Sequence, residues 1–575
     1  MPRARQTRSL PPRRQGAARG VVAAVVTAGI SAGVGLLVGL APAMAAPQPH
    51  GAPTAVVLPL TSAPAATPGA TQDPARQDTA RQDPGQADTG QADTEQPEGL
   101  LPDNGRPTDP LLGERPAADA GGAQEPQVVD AEPGTPPRSS AALVGGGALV
   151  AASLVLLLIG LTTVAWTLHA WRTPESLAAT RFSGRPATSR PRVTLLVPGR
   201  HEEAVLGETL DTLARSRWDD LEILAIVGHD DPGTHAVAAA AAQRHPGLVR
   251  VVVDHHKVKN KPKAMNTALP EVTGQIVGVF DAEDDVAPDL IPNIVARFEE
   301  TGADVVQGGV QLMNYRDSWF AMRNVLEYYF WFRSRLHFHA GVRFIPLGGN
   351  TVFFRTDVLR EHGGWDAECL AEDCEIGVRL SVAGKTVAVA YDVDLVTREE
   401  TPDTLGALIK QRTRWNQGFL QVLGRGHWRR LPGAGQRALA LYTLVMPFLQ
   451  SFAGIMIPIS IGLILFAQVP TWVALLSFTP LVPALVTLVV EVVGLAEFGR
   501  AYGPRARFVD YARLVLGTVP YQVVLAVSAV RATVRHLRGD GSWEKTAHTG
   551  LHRSPVVTVP ETVVDLRDDR QPVRA

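Results

Sequence analysis

The sequence predicts an α/β, Rossmann-like domain set between membrane-spanning helices and preceded by a disordered linker. Three observations carry this expectation. Between about residues 190 and 430, short β-branched runs alternate with helical patterns, which is the texture of a mostly parallel sheet. On either side of that block lie uncharged apolar runs of roughly twenty residues or more, enough to cross a bilayer. Ahead of it runs a Pro-, Gly-, Ala- and Gln-rich stretch that cannot bury enough apolar surface to offset the entropy of ordering.

Composition narrows the function classes. Among 575 residues, Lys+Arg 55 against Asp+Glu 57 leaves a net charge of -2, so there is no global basic field and nucleic acid is not an expected partner. The two cysteines, Cys369 and Cys374, flank an acidic motif placed below in the cytoplasm. A disulfide framework is therefore not expected, and two cysteines without a second ligand pair make a poor zinc site, so they read as buried free thiols.

Taken in order, the first twenty residues carry arginines and no acid, then Val21 to Leu40 is uncharged and ends near Ala43-Met44-Ala45. These are the parts of a signal peptide or signal anchor over 1–46. Residues 47–140 form the expected extracytoplasmic linker, with a degenerate repeat in Thr79-Ala80-Arg81-Gln82-Asp83 and Gly90-Gln91-Ala92-Asp93-Thr94. A transmembrane helix is expected over 141–171. Arg172, Arg181, Arg185, Arg190 and Arg192 follow it while its other flank is acidic, which puts the next domain in the cytoplasm.

Within 190–430, strands are expected at Val193 to Val197, Leu221 to Val227, Val249 to Val253 and Gln275 to Phe280, with helices over 203–214 and 236–243. Ligands in such sheets sit at the strands' carboxyl ends. The polar motifs fall there. The first strand runs into Pro198-Gly199-Arg200-His201-Glu202-Glu203, and the second into His229-Asp230-Asp231-Pro232, where Asp230 or Asp231 either meets a nucleoside or caps the next helix. Lys261 and Lys263 in Asn260-Lys261-Pro262-Lys263 stand at a helix start, where they face a phosphate or simply solvent. The fourth strand ends in Asp281-Ala282-Glu283-Asp284-Asp285, carboxylates that repel one another unless a cation neutralises them. Hard oxygen ligands of this kind suit Mg²⁺ or Mn²⁺ held together with a diphosphate.

Gly348-Gly349-Asn350-Thr351 precedes a strand at Phe353-Phe354-Arg355 and lets an acceptor approach the backbone, or is a plain turn. Glu372 and Asp373 open a helix, either as partners of its dipole or with Asp373 as a general base. On a later helix, Gln411, Arg414, Trp415 and Gly418 are spaced to share one face. That face presents an amide, a guanidinium fit for phosphate, an indole suited to a sugar ring and a glycine open to a ligand. The alternative is an amphipathic helix at the membrane surface with Trp415 as its anchor.

As a set, these motifs resemble membrane-embedded, inverting family 2 glycosyltransferases, the class of cellulose, hyaluronan and poly-N-acetylglucosamine synthases. The resemblance covers about 190–430 and continues loosely into the C-terminal membrane part. It implies a GT-A cytoplasmic glycosyltransferase domain inserted between transmembrane helices. It also implies that Asp230 or Asp231, Lys263 and Arg414 bind a nucleotide-sugar donor, expected to be a UDP-sugar, and that Asp281 and Glu283 hold Mg²⁺ or Mn²⁺. Asp373 would be the base with Glu372 beside it, and Trp415 and Gln411 would bind the acceptor. The usual Asp-x-Asp is Asp281-Ala282-Glu283 here, which leaves Glu283 or Asp284 as second ligand. Ala371 stands where a threonine usually precedes Glu-Asp, and the first motif lacks the common aromatic and asparagine.

The C-terminal third is expected to supply two transmembrane helices over 439–498, then over 508–535 an interfacial segment, a re-entrant hairpin broken at Pro520 or a third span, and a cytoplasmic tail over 536–575. Glu491 at a span's margin is expected to snorkel. Trp543 to His548 resembles tails of related enzymes and suggests a substrate-side role, against a disordered tail. The leading expectation is a multi-pass plasma-membrane enzyme that extends a β-linked glycan at the cytoplasmic face. Its rivals are a single transfer to a lipid acceptor and a catalytically silent membrane scaffold. With so few spans, a wide polymer channel would need homo-oligomers or an export partner.

Overall fold

The computed structural model describes residues 140–174, 178, 180–466, 470–503, 505–546 and 549–553. The expected signal segment and nearly all of the linker lie outside the described residues. The chain enters through helix α1 (Ser140–Thr167) and then builds a sheet and its covering helices. These are β1 (Val193–Gly199), α2 (Leu206–Ala214), β2 (Leu221–Gly228), α3 (Pro232–Arg244), β3 (Val249–Asp254), α4 (Lys261–Ala268), β4 (Ile276–Val279) and α5 (Leu290–Thr301). All four expected strands form. Helix α3 starts earlier than its apolar pattern suggests because Asp231 caps it, accepting a hydrogen bond from the Thr234 amide at 3.2 Å, with Pro232 in the first turn.

The second half adds β5 (Val305–Gly308), β6 (Val310–Leu312), α6 (Trp319–Phe330), a π-helical turn (Trp331–Arg335), α7 (Leu336–Val342), β7 (Val352–Arg355), α8 (Thr356–Glu361), α9 (Glu372–Val382), β8 (Val387–Ala390), β9 (Thr397–Glu399) and α10 (Leu405–Arg425). Seven strands form one sheet in the order β3-β2-β1-β4-β7-β5-β8. Strand β7 is antiparallel to β4 and β5, and the other neighbours are parallel, with Val193 opposite Leu221 and Ile276. Strands β6 and β9 pair separately. Successive residues of β1 point to opposite faces. Leu195 joins Ile223, Leu210 and Ile294 under α2, α3 and α5, whereas Leu196 joins Leu224, Met265 and Ile376 under α4 and α9. Both faces being covered, the strand ends are what remains open to a ligand.

Four described helical stretches are long and apolar enough to cross a membrane: Gly145–Thr167, Ala434–Phe466, Thr471–Tyr502 and Phe508–Arg538. They contain α1, α11 (Ala434–Phe466), the pair α12 (Thr471–Ser477) and α13 (Leu481–Tyr502), and α14 (Phe508–Arg538). The expected break at Pro520 is not there, and α14 runs through it for 31 residues. Its packing explains this. One side, with Leu514, Gly517, Tyr521, Ser528 and Ala532, is buried against α10, α11 and α6, and the other leaves Phe508, Leu516, Val519 and Val523 exposed. Tertiary contact on one side outweighs the one backbone hydrogen bond a proline removes. Glu491 does not snorkel either: it is held by Arg323, with Nη2 to Oε1 at 3.0 Å.

Candidate active site

The strands' carboxyl ends, the loop before β7, the start of α9 and one face of α10 enclose a cavity of about 550 Å³. Its sheet side is lined by Gly228, Asp254, Lys259, Lys261, Asp281 and Glu283. Its other side is lined by Tyr328, Trp331 and Phe332, by Phe419, and by Met446, Gln450 and Leu525 from α11 and α14. The cavity therefore reaches from polar strand ends to helices long enough to cross a membrane.

Asp281 faces Lys261, whose ammonium donates to Asp281 Oδ1 and, at 2.8 Å, to the Gly349 carbonyl. Burial works against the Lys261 charge, but Asp281, Glu372 and Asp373 overcome it and hold the ammonium firmly protonated. Glu283 lines the cavity beside Asp281. Asp284 does not: its carboxylate is enclosed, accepting from the Asp281 amide at 2.7 Å and from Asn350 Nδ2 at 2.8 Å, and burial with the nearby Glu399 pushes it well above the usual carboxylate range. The two carboxylates turned toward a ligand are thus Asp281 and Glu283. Among the described residues, no three His, Cys, Asp or Glu groups converge on a point able to hold an ion by themselves.

Glu372 and Asp373 lie in the first turn of α9, within the field of Lys261 and Arg414. Burial, reinforced by Asp373, pushes Glu372 up to about 7, and burial also raises Asp373. Asp373 lies against Gly349, where an added Cβ would stand 3.0 Å from its Oδ2. The glycine of that loop gives room to the carboxylate, and its carbonyl to Lys261. Thr351, next in the loop, has φ +50, a strained backbone held by hydrogen bonds from its hydroxyl to Thr397 Oγ1 at 2.6 Å and to Asn350 Oδ1 at 3.1 Å.

Helix α10 is capped by Thr404 and ends at Gly426 in the left-handed region. Gln411, Arg414 and Trp415 line the cavity, with the Arg414 guanidinium 4.4 Å over the Trp543 ring and, among the described residues, in no ion pair. Gly418 has a different role from the one its spacing suggests. An added Cβ would stand 2.4 Å from the Ala371 Cβ and 2.5 Å from its amide, so the glycine seats the start of α9 against α10 rather than admitting a ligand. Between these positions, Arg412 also reaches the cavity wall, but its guanidinium is committed to structure, bonded to Glu327 at 2.7 Å and to Asn324.

Two donor-side expectations are redistributed. Asp231 spends its carboxylate on the α3 cap and the His201 amide, Asp230 is exposed beside Arg200 at 3.1 Å, and neither lines the cavity. Asp254, at the end of β3, does line it, with Lys259 Nζ 3.5 Å from its Oδ2. Likewise Lys263 turns to Glu368 at 3.0 Å, and its neighbours Lys259 and Lys261 line the cavity instead. Asp254 carried the same signal as Asp281, an acid closing an apolar strand. The tail residues Trp543, Lys545 and Thr546 roof the cavity, with Lys545 donating to the His201 carbonyl at 2.6 Å and lying 3.1 Å from Glu202. Glu400 receives the next tail segment, accepting from the Gly550 amide at 3.1 Å. Cys369 and Cys374 are buried free thiols, with Cys369 pushed by burial up to about 12.

Residues 191–418, the block that holds every one of these strand-end and helix-start groups, match the family model described as glycosyltransferase like family 2. This segment is similar to family 2 glycosyltransferase domains. Curated relatives of the chain include the β-monoglucosyldiacylglycerol synthase of Trichormus variabilis, 26% identical over 292 residues that make up 47% of this chain and 61% of that protein. The poly-β-1,6-N-acetyl-D-glucosamine synthase of Staphylococcus epidermidis is 24% identical over 270 residues, 46% of this chain and 63% of that protein. The chain thus spans less than two thirds of the length of these relatives. Among solved structures, mannosyltransferase PcManGT from Pyrobaculum calidifontis, in complex with GDP-Man and Mn²⁺, is 20% identical at a TM-score of 0.44, covering 68% of this chain and 99% of that one. The match to that family and the mixed seven-stranded sheet agree with the GT-A-like α/β fold expected above.

Proposed function

We propose that the protein transfers a sugar, with inversion at the anomeric carbon, from a UDP-sugar to a hydroxyl of a membrane-borne acceptor at the cytoplasmic face of the plasma membrane. The observation that supports this most is one cavity that Asp373 and Glu372 line together with Lys261, Asp281 and Arg414 and with side chains of α11 and α14. The acceptor hydroxyl oxygen attacks the anomeric carbon while its proton passes to Asp373. The bond from that carbon to the diphosphate oxygen breaks, and the nucleoside diphosphate leaves with the electron pair. Burial keeps Asp373 a stronger base than a solvated aspartate, and the Glu372 charge beside it acts in the same direction. Lys261 and Arg414 place fixed positive charge where the leaving diphosphate gains negative charge.

Asp281 and Glu283 offer the hard oxygen donors that Mg²⁺ or Mn²⁺ takes, and two carboxylates facing a cavity leave the remaining ligand positions to diphosphate oxygens. Such an ion, when bound, would neutralise part of the leaving group's charge. Asp254 and Lys259, at the ends of β3 and its loop, are our candidates for the nucleoside end of the donor. The five arginines after α1 support the cytoplasmic placement of this domain.

The apolar lining from Phe419, Met446 and Leu525 favours a lipid acceptor that receives one sugar. The flat rings of Tyr328 and Trp415, 6.2 Å apart between centroids, support the second reading, a growing β-linked glycan. Reconstitution in lipid with a panel of nucleotide sugars and Mg²⁺ or Mn²⁺, following nucleotide release and product size, tests both. A lipid bearing one sugar is the expected product, and a ladder of long products selects the glycan. No turnover with any donor, or unchanged turnover in Asp373→Asn, would sink the assignment and leave a binding scaffold.

A further inference from the structure

Several arginines packed among the membrane helices are matched to carboxylates. Arg316 lies 2.8 Å from Asp510, Arg333 3.2 Å from Glu497 and Arg412 2.7 Å from Glu327, and Arg323 is paired with Glu491. Arg335 breaks the pattern. It closes the π-helical turn, a rare geometry that tends to mark functional sites, and its side chain lines the cavity. Its guanidinium is clamped between two indoles, 3.9 Å from the Trp166 ring centroid and 4.8 Å from that of Trp331. Its Nε is enclosed without a hydrogen-bond partner, and among the described residues no carboxylate stands within ion-pairing distance of it. The acid whose charge acts on it, Glu327, is already committed to Arg412 and, at 2.8 Å, to the Tyr521 hydroxyl.

A desolvated cation without a counter-charge is costly, and ring faces compensate only part of that cost. Burial pulls the Arg335 guanidinium down to about 10, which still leaves it cationic at neutral pH. The neighbouring His339 does not help: burial and the Arg335 charge lower it to about 3, so it stays neutral, with Nδ1 on the Phe344 carbonyl at 3.2 Å. Neither indole offers the guanidinium a hydrogen-bond acceptor, so its donors remain available to an anion entering the cavity. Its depth is also informative. Trp166 lies one residue from the end of α1, and Tyr442 of α11, which also acts on Arg335, lies in the first turns of that helix. These are the levels at which bilayer headgroups sit.

We propose that Arg335 is a phosphate-binding residue that receives the phosphate monoester of a membrane lipid, holding it in the cavity by a forked pair of hydrogen bonds from the guanidinium edge. The cavity then carries a cation for each partner, Arg414, whose charge acts on Asp373, for the donor diphosphate and Arg335 for the lipid phosphate. That this lipid is the acceptor of the sugar rests on the transfer reading above, whereas its binding does not.

The test is direct binding to the full chain in neutral detergent, without donor, by calorimetry with dihexanoyl phosphatidic acid, dihexanoylglycerol and inorganic phosphate. The expected result is a preference of at least tenfold for the phosphatidic acid over dihexanoylglycerol, lost in Arg335→Gln, with inorganic phosphate binding far more weakly. Arg335→Lys, which keeps the charge but not the fork or the stacking, should lose most of the preference. UDP binding, on the other side of the cavity, should stay within twofold in both variants and shows that they are folded. Independently of any variant, a diazirine-bearing phosphatidic acid should cross-link to residues 331–342. Equal binding of the two lipids, a preference that survives Arg335→Gln, or cross-links that avoid this segment overturns the proposal. Inorganic phosphate binding as tightly as the lipid, and lost in Arg335→Gln, would make this a site for a free anion and overturn the lipid part. Sugar transfer measured without any lipid-phosphate preference removes this inference alone. Lipid-phosphate binding without sugar transfer removes the transfer reading alone.

Discussion

On the sheet side of the cavity, charges face one another inside the chain: Lys261 lies on Asp281, Lys259 on Asp254 and Lys545 on Glu202. On the side toward α11 and α14 the lining is mostly aromatic and aliphatic, with Gln450 among it, and Arg335 there is stacked on rings and pairs with no carboxylate among the described residues. The first arrangement is preassembled and self-neutralised, so a donor entering it exchanges existing partners for its own charges. Deleting one member strands another, and the cost is electrostatic. The second arrangement has few polar obligations, and truncations there should cost contact area alone. Substitutions on the two sides should therefore differ in size and in which substrate they affect.

The largest effect is expected from Asp373→Asn, which keeps the shape of the side chain and removes its ability to take a proton. The turnover number should fall by about 10²- to 10⁴-fold with donor affinity little changed, in steady-state assays of nucleotide release. Arg414→Ala should follow, at about 10²- to 10³-fold in kcat/KM for the donor, because it removes a fixed charge from the leaving group. Its neighbour two positions back gives the contrast. Arg412→Ala takes the arginine partner from Glu327 and Asn324, leaving Glu327 only the Tyr521 hydroxyl, and should show as lost stability, about 3 kcal/mol in chemical unfolding. An Arg412→Ala protein that is stable but inactive would mean that the functional side of α10 has been misassigned.

This pair of arginines also shows what the sequence could and could not tell. Helical spacing correctly put Gln411, Arg414 and Trp415 on one face, because periodicity depends on backbone geometry alone. The same spacing included Gly418, yet what a glycine makes room for depends on the element packed against it, and that element proved to be Ala371 at the start of α9. The strands were legible for a similar reason, since buried parallel strands are apolar runs whatever surrounds them. Strand-end acids were not equally legible. Asp231 and Asp281 look alike in sequence, but Pro232 makes the first a helix cap while Phe280 and the fold of β4 deliver the second to the cavity. Arg335 had no sequence signal at all: its meaning comes from which carboxylates are absent around it, and only the folded chain can show that.

The pH profile should bend on the sheet side alone. Burial raises both Glu372, to about 7, and Asp373, so the pair holds a proton where a solvated carboxylate would not. A base must be unprotonated to act. Hence kcat should be flat above neutral pH and fall toward tenfold per unit as pH drops below about 7, and the two apparent values belong to the pair rather than to either residue. Asp373→Asn should flatten that limb in its residual activity. A limb centred near 4 would mean that water reaches the pair freely.

The smallest effect should come from the membrane side. Met446 reaches the cavity from α11 and has no polar obligation there, so Met446→Ala removes apolar contact and leaves every charge paired as before. Losing part of a methionine's burial corresponds to about 1 kcal/mol, or roughly a fivefold rise in the acceptor's KM. The donor's KM and the pH limb should not move, because neither Lys261 nor Asp373 is among the groups disturbed. The measurement is a matrix of initial rates in which donor and acceptor are varied independently. If Met446→Ala raised both KM values alike, the two sides would not be separable subsites, and the acceptor would have to approach past the charged strand ends instead of from the bilayer.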